Sequence, residues 1–492
     1  MSNVKVDSGQ QYNRAKLWEI CLFTLNNTST NIQIFILGFV TYYATGIAGL
    51  AVMLVSTILM AARLFDGAID PLIGYIIDKT EGKFGKFRPL MIIGNIITSG
   101  SMLIIFGVTH HLPESMQFIF FVAMLVINKI GYSLQTSVTK AGQTVLTNDP
   151  KQRPLYSIFD GAFNTILFGG GQIYVSSYLM GKHGGFNMGL FTELNSVGLI
   201  ISLIFCILAI VGIAPKDRKE YYGLAEEGTN TTFREYWGVI KGNRPLQMLS
   251  LSAATDKLAL SIARYSVVGV MLFGILLGDY SLSGTIGMIT MIPALLITFL
   301  VVAMARKHGM KKSLVRSTWV GLFSFIGLIA LFLLIDDPTS ISLDNIGFAT
   351  IAFLVLYMCA SSFGGVPSVL VIPMIADVSD YETNKSGRYV PGMMGTIFSF
   401  IDQLVSSLAP TIVGAMVGII GFKDKFPEVG DALTTPLFTV TLILAFGLPA
   451  IGLVISLIAM KFYKLDAKEM EKIQSGIAEI KANGKKDNKA AI

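Results

Sequence analysis

The sequence predicts an all-α integral membrane protein, twelve transmembrane helices in two six-helix bundles, and three observations predict it. Of the 492 residues 52% are hydrophobic and only 14% are charged, against about a quarter charged in soluble proteins. The mean hydropathy is +0.63. Twelve apolar stretches reach the roughly 20 residues that a helix needs to cross a bilayer: 17 to 45, 50 to 77, 89 to 108, 117 to 146, 154 to 180, 190 to 213, 246 to 277, 281 to 305, 314 to 335, 346 to 376, 390 to 420 and 434 to 462.

Span one follows a polar segment and carries Asn26, Asn27 and Asn31. It lacks the short apolar region and small-residue cleavage site of a signal peptide, so it is expected to remain in the mature protein. Span two contains RLFDGAIDPLIGYIID from Arg63 to Asp78. Asp66 and Asp70 stand four residues apart and share a helix face. Carboxylates at that depth mark a functional site, and oxygen ligands suit a small hard cation. The competing reading of Asp66 is an ion pair with Arg63, one turn away.

Polar residues recur at helical spacing elsewhere: Asn27, Thr30 and Asn31 in span one, Lys129, Ser133, Thr136 and Lys140 in span four, Lys257, Ser261 and Arg264 in span seven. The stripes of spans one and four should face a cavity, because lipid would leave their polar groups unsatisfied at several kcal/mol each. Glycines 169 to 171, 364 and 365 read as close-packing or bending points. Cys21, Cys206 and Cys359 fall in separate spans and read as free thiols. The four histidines lie in loops, and no HExxH, P-loop or GxSxG motif sits at a suitable junction. Enzyme readings therefore have no support, and no organic cofactor is implied.

The longest polar connection divides the chain into an N-terminal bundle (1–213), a middle loop (214–245), a C-terminal bundle (246–463) and a charged tail (464–492). The basic loop after span two, EGKFGKFRP, has a counterpart after span eight, ARKHGMKK. Halves related by an axis along the membrane normal describe the major facilitator architecture, with substrate near the midplane. Lys and Arg gather in alternate loops, which places both termini in the cytoplasm of a multi-pass cell-membrane protein; Lys182, Lys423 and Lys425 are mild exceptions. Nucleic-acid binding is excluded as the cause of these clusters, since they are short and lack interleaved aromatics. The tail is mildly amphipathic around Met470, Ile473, Ile477 and Ile480, giving either a surface helix or a disordered segment.

Several phrases resemble the glycoside, pentoside and hexuronide:cation symporters, the melibiose permease group: RLFDGAIDPLIG with DKTEGKFGKFRP after it, LTNDPKQRPLYS from Leu146 to Ser157, and PMIADVSDYETNKSGR from Pro373 to Arg388. The resemblance implies a monomeric alternating-access carrier for a sugar or glycoside, driven by Na⁺ with H⁺ or Li⁺ as replacements. It places the cation on Asp66, Asp70 and a span-four hydroxyl, Ser133. Ile69 departs from the family's polar residue before the second Asp. Asp78, Arg88, Asp149, Arg153, Asp377, Asp380 and Glu382 take the role of a cytoplasmic gate of ion pairs.

The melibiose sugar contacts are replaced. Thr30 and Thr136 stand where the family has acids, Lys140 where it has a stacking aromatic, and Asp160 or Gly161 where it has an arginine. Asn27, Thr30, Asn31, Thr136, Lys140, Arg264 and Lys385 are the substrate-binding candidates. Lys140, Arg264 and Lys385 suggest a uronate-containing substrate. Pairing of Lys140 with Asp160 or Asp256 would leave a neutral oligosaccharide. A proton-coupled exporter of the same fold is the remaining alternative.

Overall fold

The computed structural model describes residues 13–80, 82, 84–147, 152–218, 221, 241–386, 391–466 and 468–477, and among them every regular element is helical. The chain divides into two compact units: Met1–Gly228 with Ser283–Thr285 and Val417–Glu428, and Thr229–Leu282 with Ile286–Met416 and Val429–Ile492.

The first unit contains α1 (Leu17–Leu37), α2 (Val40–Gly46), α3 (Val52–Lys79), α4 (Arg88–Val108), α5 (Glu114–Leu146), α6 (Arg153–Ile173), α7 (Met180–His183) and α8 (Met188–Ile213). The Glu19 carboxylate accepts from the Lys16 N–H at 2.9 Å and helps start α1. Asn187 caps α8, its Oδ1 accepting from the Leu190 N–H at 3.1 Å. Helices α4 and α5 approach closely because Gly94 and Gly131 face each other. A Cβ on Gly131 would stand 2.9 Å from the Gly94 carbonyl oxygen, the small-residue contact expected between helices in lipid. The apolar core is built from Phe23, Met91, Val138, Ala209 and Ile213, all fully buried.

The second unit contains α9 (Arg244–Ala263), α10 (Ser266–Gly269), α11 (Ser281–His308), α12 (Met310–Leu334), α13 (Phe348–Gly364), α14 (Val366–Ser386), α15 (Pro391–Ser406), α16 (Ala409–Ile419), α17 (Thr435–Leu442) and α18 (Leu448–Phe462). A final helix, α19, covers 468–477. Asp466 caps it, Oδ1 accepting from the Glu469 N–H at 2.9 Å. Met470, Ile473 and Ile477 pack into the unit's hydrophobic core, so the amphipathic pattern, rather than the disordered reading, describes this part of the tail; Ile480 lies outside the described residues.

Eight helices among the described residues are long and apolar enough to cross a membrane, nine when α9 and the helix from Ser266 to Leu276, bent by 53°, count as one span. The protein is a multi-pass membrane protein. The other three expected spans are also helical, as α1, α3 and α6. These carry most of the polar residues of the candidate site. The three cysteines are free thiols.

Candidate functional site

The first polar centre joins α3 to α5. Asp66 lies near the middle of the 28-residue α3, and its Oδ2 accepts from Lys129 Nζ of α5 at 2.8 Å. The two side chains are 15% and 13% exposed. Lys129 also lies 5.0 Å from the centroid of the Tyr132 ring, a distance at which the ring face attracts an ammonium. Ser133 follows one turn after Lys129 and is fully buried. A carboxylate oxygen and a hydroxyl are ligands for a monovalent cation, but an ammonium from the protein itself reaches the same carboxylate. The sequence placed Lys129 in a cavity-facing stripe; the structure makes it a counter-charge of Asp66. The backbone of Asp70 continues α3, and its side chain lies outside the described residues.

The second centre joins α1 to α6. Asn27 Nδ2 donates to Asp160 Oδ1 at 2.7 Å, and Asn31 Nδ2 donates to Asn164 Oδ1 at 2.8 Å. Both pairs are four residues apart on their helices, so they form two rungs on one face. All four residues are partly exposed. This half-buried ladder of three amides and one carboxylate has the donors and acceptors that sugar hydroxyls need.

Thr30 does not join that face. It is fully buried, and its hydroxyl bonds to Gln135 Oε1 at 3.1 Å and to the Asn26 carbonyl at 3.0 Å. Asn26 Nδ2 in turn donates to Thr139 Oγ1 at 2.7 Å. Asn26 and Thr30 thus form the α1 surface toward α5, while Asn27 and Asn31 form the surface toward α6. The expected grouping of Thr30 with the asparagines is corrected by the turn of about 100° per residue. Thr136 is partly buried and its hydroxyl is bonded to the Tyr132 and Ser133 carbonyls. Lys140 is exposed, and Asp160 is engaged by Asn27. Arg264 stands at the C-cap of α9. Lys385 lies in the last turn of α14, and its Nζ donates to the Gly242 carbonyl at 2.6 Å.

Three of the gate residues, Arg88, Asp380 and Glu382, have hydrogen-bond partners within their own units. Arg88 Nε donates to Asp217 Oδ2 at 3.3 Å. The Asp217 carboxylate is buried and also accepts the N–H groups of Lys86, Phe87 and Arg88 at 2.9 to 3.3 Å, anchoring the start of α4. Gly85 makes this possible: its φ is 87°, and a side chain there would collide with Asp217. In the second unit Asp380 Oδ2 accepts from Gln474 of α19 at 2.7 Å, and Glu382 Oε2 accepts from Asn243, the N-cap of α9, at 2.8 Å. Asp377 is half-buried on α14. The side chains of Asp78, Asp149 and Arg153 lie outside the described residues. Asp217, Asn243 and Gln474 escaped the sequence reading, and no local spacing marks them.

An apolar cavity of about 350 Å³ is lined by residues of α1, α6 and α8, Ile32, Phe35, Phe163, Leu167, Val197 and Phe205 among others. Its walls offer a sugar little to bond, so the ladder rather than this cavity is the sugar-binding candidate. No group of three or more His, Cys, Asp or Glu side chains converges among the described residues.

The profile of the MFS/sugar transport protein family matches residues 25–467. The uncharacterized symporter YnaJ of Bacillus subtilis strain 168 is 24% identical over 440 residues, 88% of each chain. A lactose permease of Lactobacillus delbrueckii subsp. bulgaricus is 24% identical over 85% of this chain and 65% of its own. A glucuronide carrier protein homolog of Escherichia coli K12 is 22% identical over 92% of this chain and 93% of its own. Among solved structures, the nucleoside transporter NupG superposes with a TM-score of 0.56 at 14% identity, over 90% of this chain and 99% of that one. A bacterial homologue of the iron transporter ferroportin, inward-facing, gives 0.61 at 13% identity, over 92% and 100%. These two show the major facilitator fold. A family match across nine-tenths of the chain settles its kinship: the chain belongs to the MFS/sugar transport proteins, in the glycoside–pentoside–hexuronide symporter group, and is a transporter rather than an enzyme.

Proposed function

We propose that the protein is a cation-coupled symporter of a sugar or glycoside in the cell membrane, with both termini in the cytoplasm. The observation that carries this reading is Asp66, a carboxylate held 15% exposed near the middle of the 28-residue α3. The coupling cation, Na⁺ with H⁺ or Li⁺ as replacements, binds Asp66 with Asp70 and Ser133 as further ligands. Lys129 holds the Asp66 carboxylate until that cation arrives. The sugar binds the ladder of Asn27, Asn31, Asp160 and Asn164. A carboxylate in the ladder favours a neutral sugar, because a uronate would meet a like charge there. The relatives named as lactose permeases support the neutral class; the glucuronide carrier homolog keeps the uronide as the second reading.

The driving force suffices. One Na⁺ moving down a tenfold gradient contributes about 1.4 kcal/mol, and a potential of about 100 mV adds about 2.3 kcal/mol per net charge. A neutral sugar with one cation uses both; a singly charged uronide with one cation uses only the first. The test is uptake into proteoliposomes with and without a membrane potential, using lactose and methyl β-glucuronide. Asp66→Asn and Asp70→Asn should each abolish cation-dependent accumulation. Normal accumulation by either variant, with its cation dependence intact, refutes the assignment.

A further inference from the structure

The second unit holds a carboxylate that the proposed transport reaction leaves without a task. Asp256 lies on α9 with 5% of its surface exposed. Ser456 Oγ of α18 stands 2.8 Å from Asp256 Oδ2. Ser252 Oγ, one turn before Asp256, stands 2.6 Å from Ser456 Oγ. The other carboxyl oxygen, Oδ1, is buried and makes no hydrogen bond among the described residues.

No described cation neutralises this group. The adjacent Lys257 points to Asp402 of α15 and pairs with it. Arg244, at the start of α9, lies over the Phe462 ring at 5.7 Å. The other elements packed on α9 are α10, the π-helix of Ile443–Gly447, α14 and α18. The first two carry no titratable side chain. On α14 the titratable groups are Asp377, Asp380, Tyr381, Glu382 and Lys385, and on α18 only Lys461. Asp380, Glu382 and Lys385 are engaged by Gln474, Asn243 and the Gly242 carbonyl, and none of these groups is bonded to Asp256.

An ionised carboxylate buried without a counter-charge costs several kcal/mol, far more than a neutral acid that keeps its hydrogen bonds. The neutral acid also fits the spacing. Its Oδ2–H can donate to Ser456, whose own hydrogen passes to Ser252, and both separations are ordinary O–H···O distances. A metal ion would require several oxygens arranged around it, whereas here the two hydroxyls contact each other directly.

We propose that Asp256 is a proton-binding site of the second unit, holding H⁺ in the packed arrangement of α9 and α18 and releasing it when water reaches the carboxyl. The proton adds to Oδ2 from solvent and returns to solvent, and no electrons move. The site is separate from Asp66 and stands whichever cation binds there. It gives the carrier a second ionic input.

Infrared spectroscopy of the full-length protein in lipid nanodiscs, in Na⁺-free buffer at neutral pH, tests this without any sugar. The wild type should show a protonated carboxylic-acid C=O band that Asp256→Asn loses. Ser456→Ala, which keeps the acid and removes its partner, should shift that band, and it serves if the first variant does not fold. Identical spectra for wild type and Asp256→Asn overturn the proposal. So does a band left in place by Ser456→Ala, or one abolished when Na⁺ is added. Because no substrate is present, an error in the sugar assignment leaves the outcome unchanged.

Discussion

Replacing Lys129 with Met should make the stability of the first unit depend on an external cation. At the observed 2.8 Å, the attraction between two unit charges at an effective dielectric of about 20 is about 6 kcal/mol. Desolvation of both groups opposes it, and removing one partner of a buried pair costs about 3 to 5 kcal/mol. With 13% and 15% of the side chains still exposed, the low end, about 3 kcal/mol, applies. The variant should therefore be less stable than wild type by that amount in choline chloride. Na⁺ would then meet a carboxylate with no ammonium to displace, and its apparent affinity should rise by about a hundredfold, since about 1.4 kcal/mol is tenfold. The assay is thermal unfolding of the purified protein, titrated with NaCl against choline chloride at constant ionic strength. Met is close to Lys in length, so a packing defect would lower stability equally at every Na⁺ concentration. A variant as stable as wild type in choline, or one with an unchanged Na⁺ midpoint, refutes the idea that Lys129 and the cation compete for Asp66.

Three further outcomes follow from the geometry. Asp160→Asn should weaken lactose binding about tenfold to a hundredfold, the range for a hydrogen bond to a charged group, while leaving Na⁺-dependent stabilisation intact; calorimetry on the purified carrier separates the two effects. Gly131→Leu should lower the unfolding temperature sharply, because overpacking costs about 1 to 3 kcal/mol or more where backbone cannot yield, and the obstacle is the Gly94 carbonyl oxygen; Gly131→Ala should sit between it and wild type. The Glu469 N–H donating to Asp466 holds that carboxyl below the usual carboxylate range. Its stabilising effect on α19 is therefore complete above the unfolded-state value of about 3.9 and disappears as pH falls through the folded value. Hydrogen exchange across 468–477 should accelerate over that acid window in wild type, and an Asp466→Asn variant should lack the step.

The helices were legible in the sequence because crossing a bilayer imposes a length and a composition that few other constraints mimic. Each of the twelve expected stretches overlaps helix among the described residues, some of them broken into two pieces, and eight or nine are long and apolar enough to cross a membrane. The polar centres were legible only in part. Local spacing correctly put Asn27 and Asn31 on one face, but a face has no label saying which helix it meets. Thr30, about 60° from Asn27 around the axis, went to α5 with Asn26 instead. Lys129 lies 63 residues from Asp66, and Asp217 lies 129 residues from Arg88; partners so distant are chosen by packing, which no short window contains. Arg63, one turn from Asp66, was the visible candidate for a counter-charge for that reason alone. The tail shows the reverse case, where a weak amphipathic pattern became a packed helix because the second unit supplied an apolar surface to receive it.

The way α19 is seated bears on how the carrier can be handled in the laboratory. Ile473 and Ile477 are 3% and 8% exposed, so a chain cut before residue 473 would strip away both interior side chains and leave a greasy scar. Purification tags and fluorescent reporters belong after residue 477, so that Ile473 and Ile477 keep their seats in the second unit.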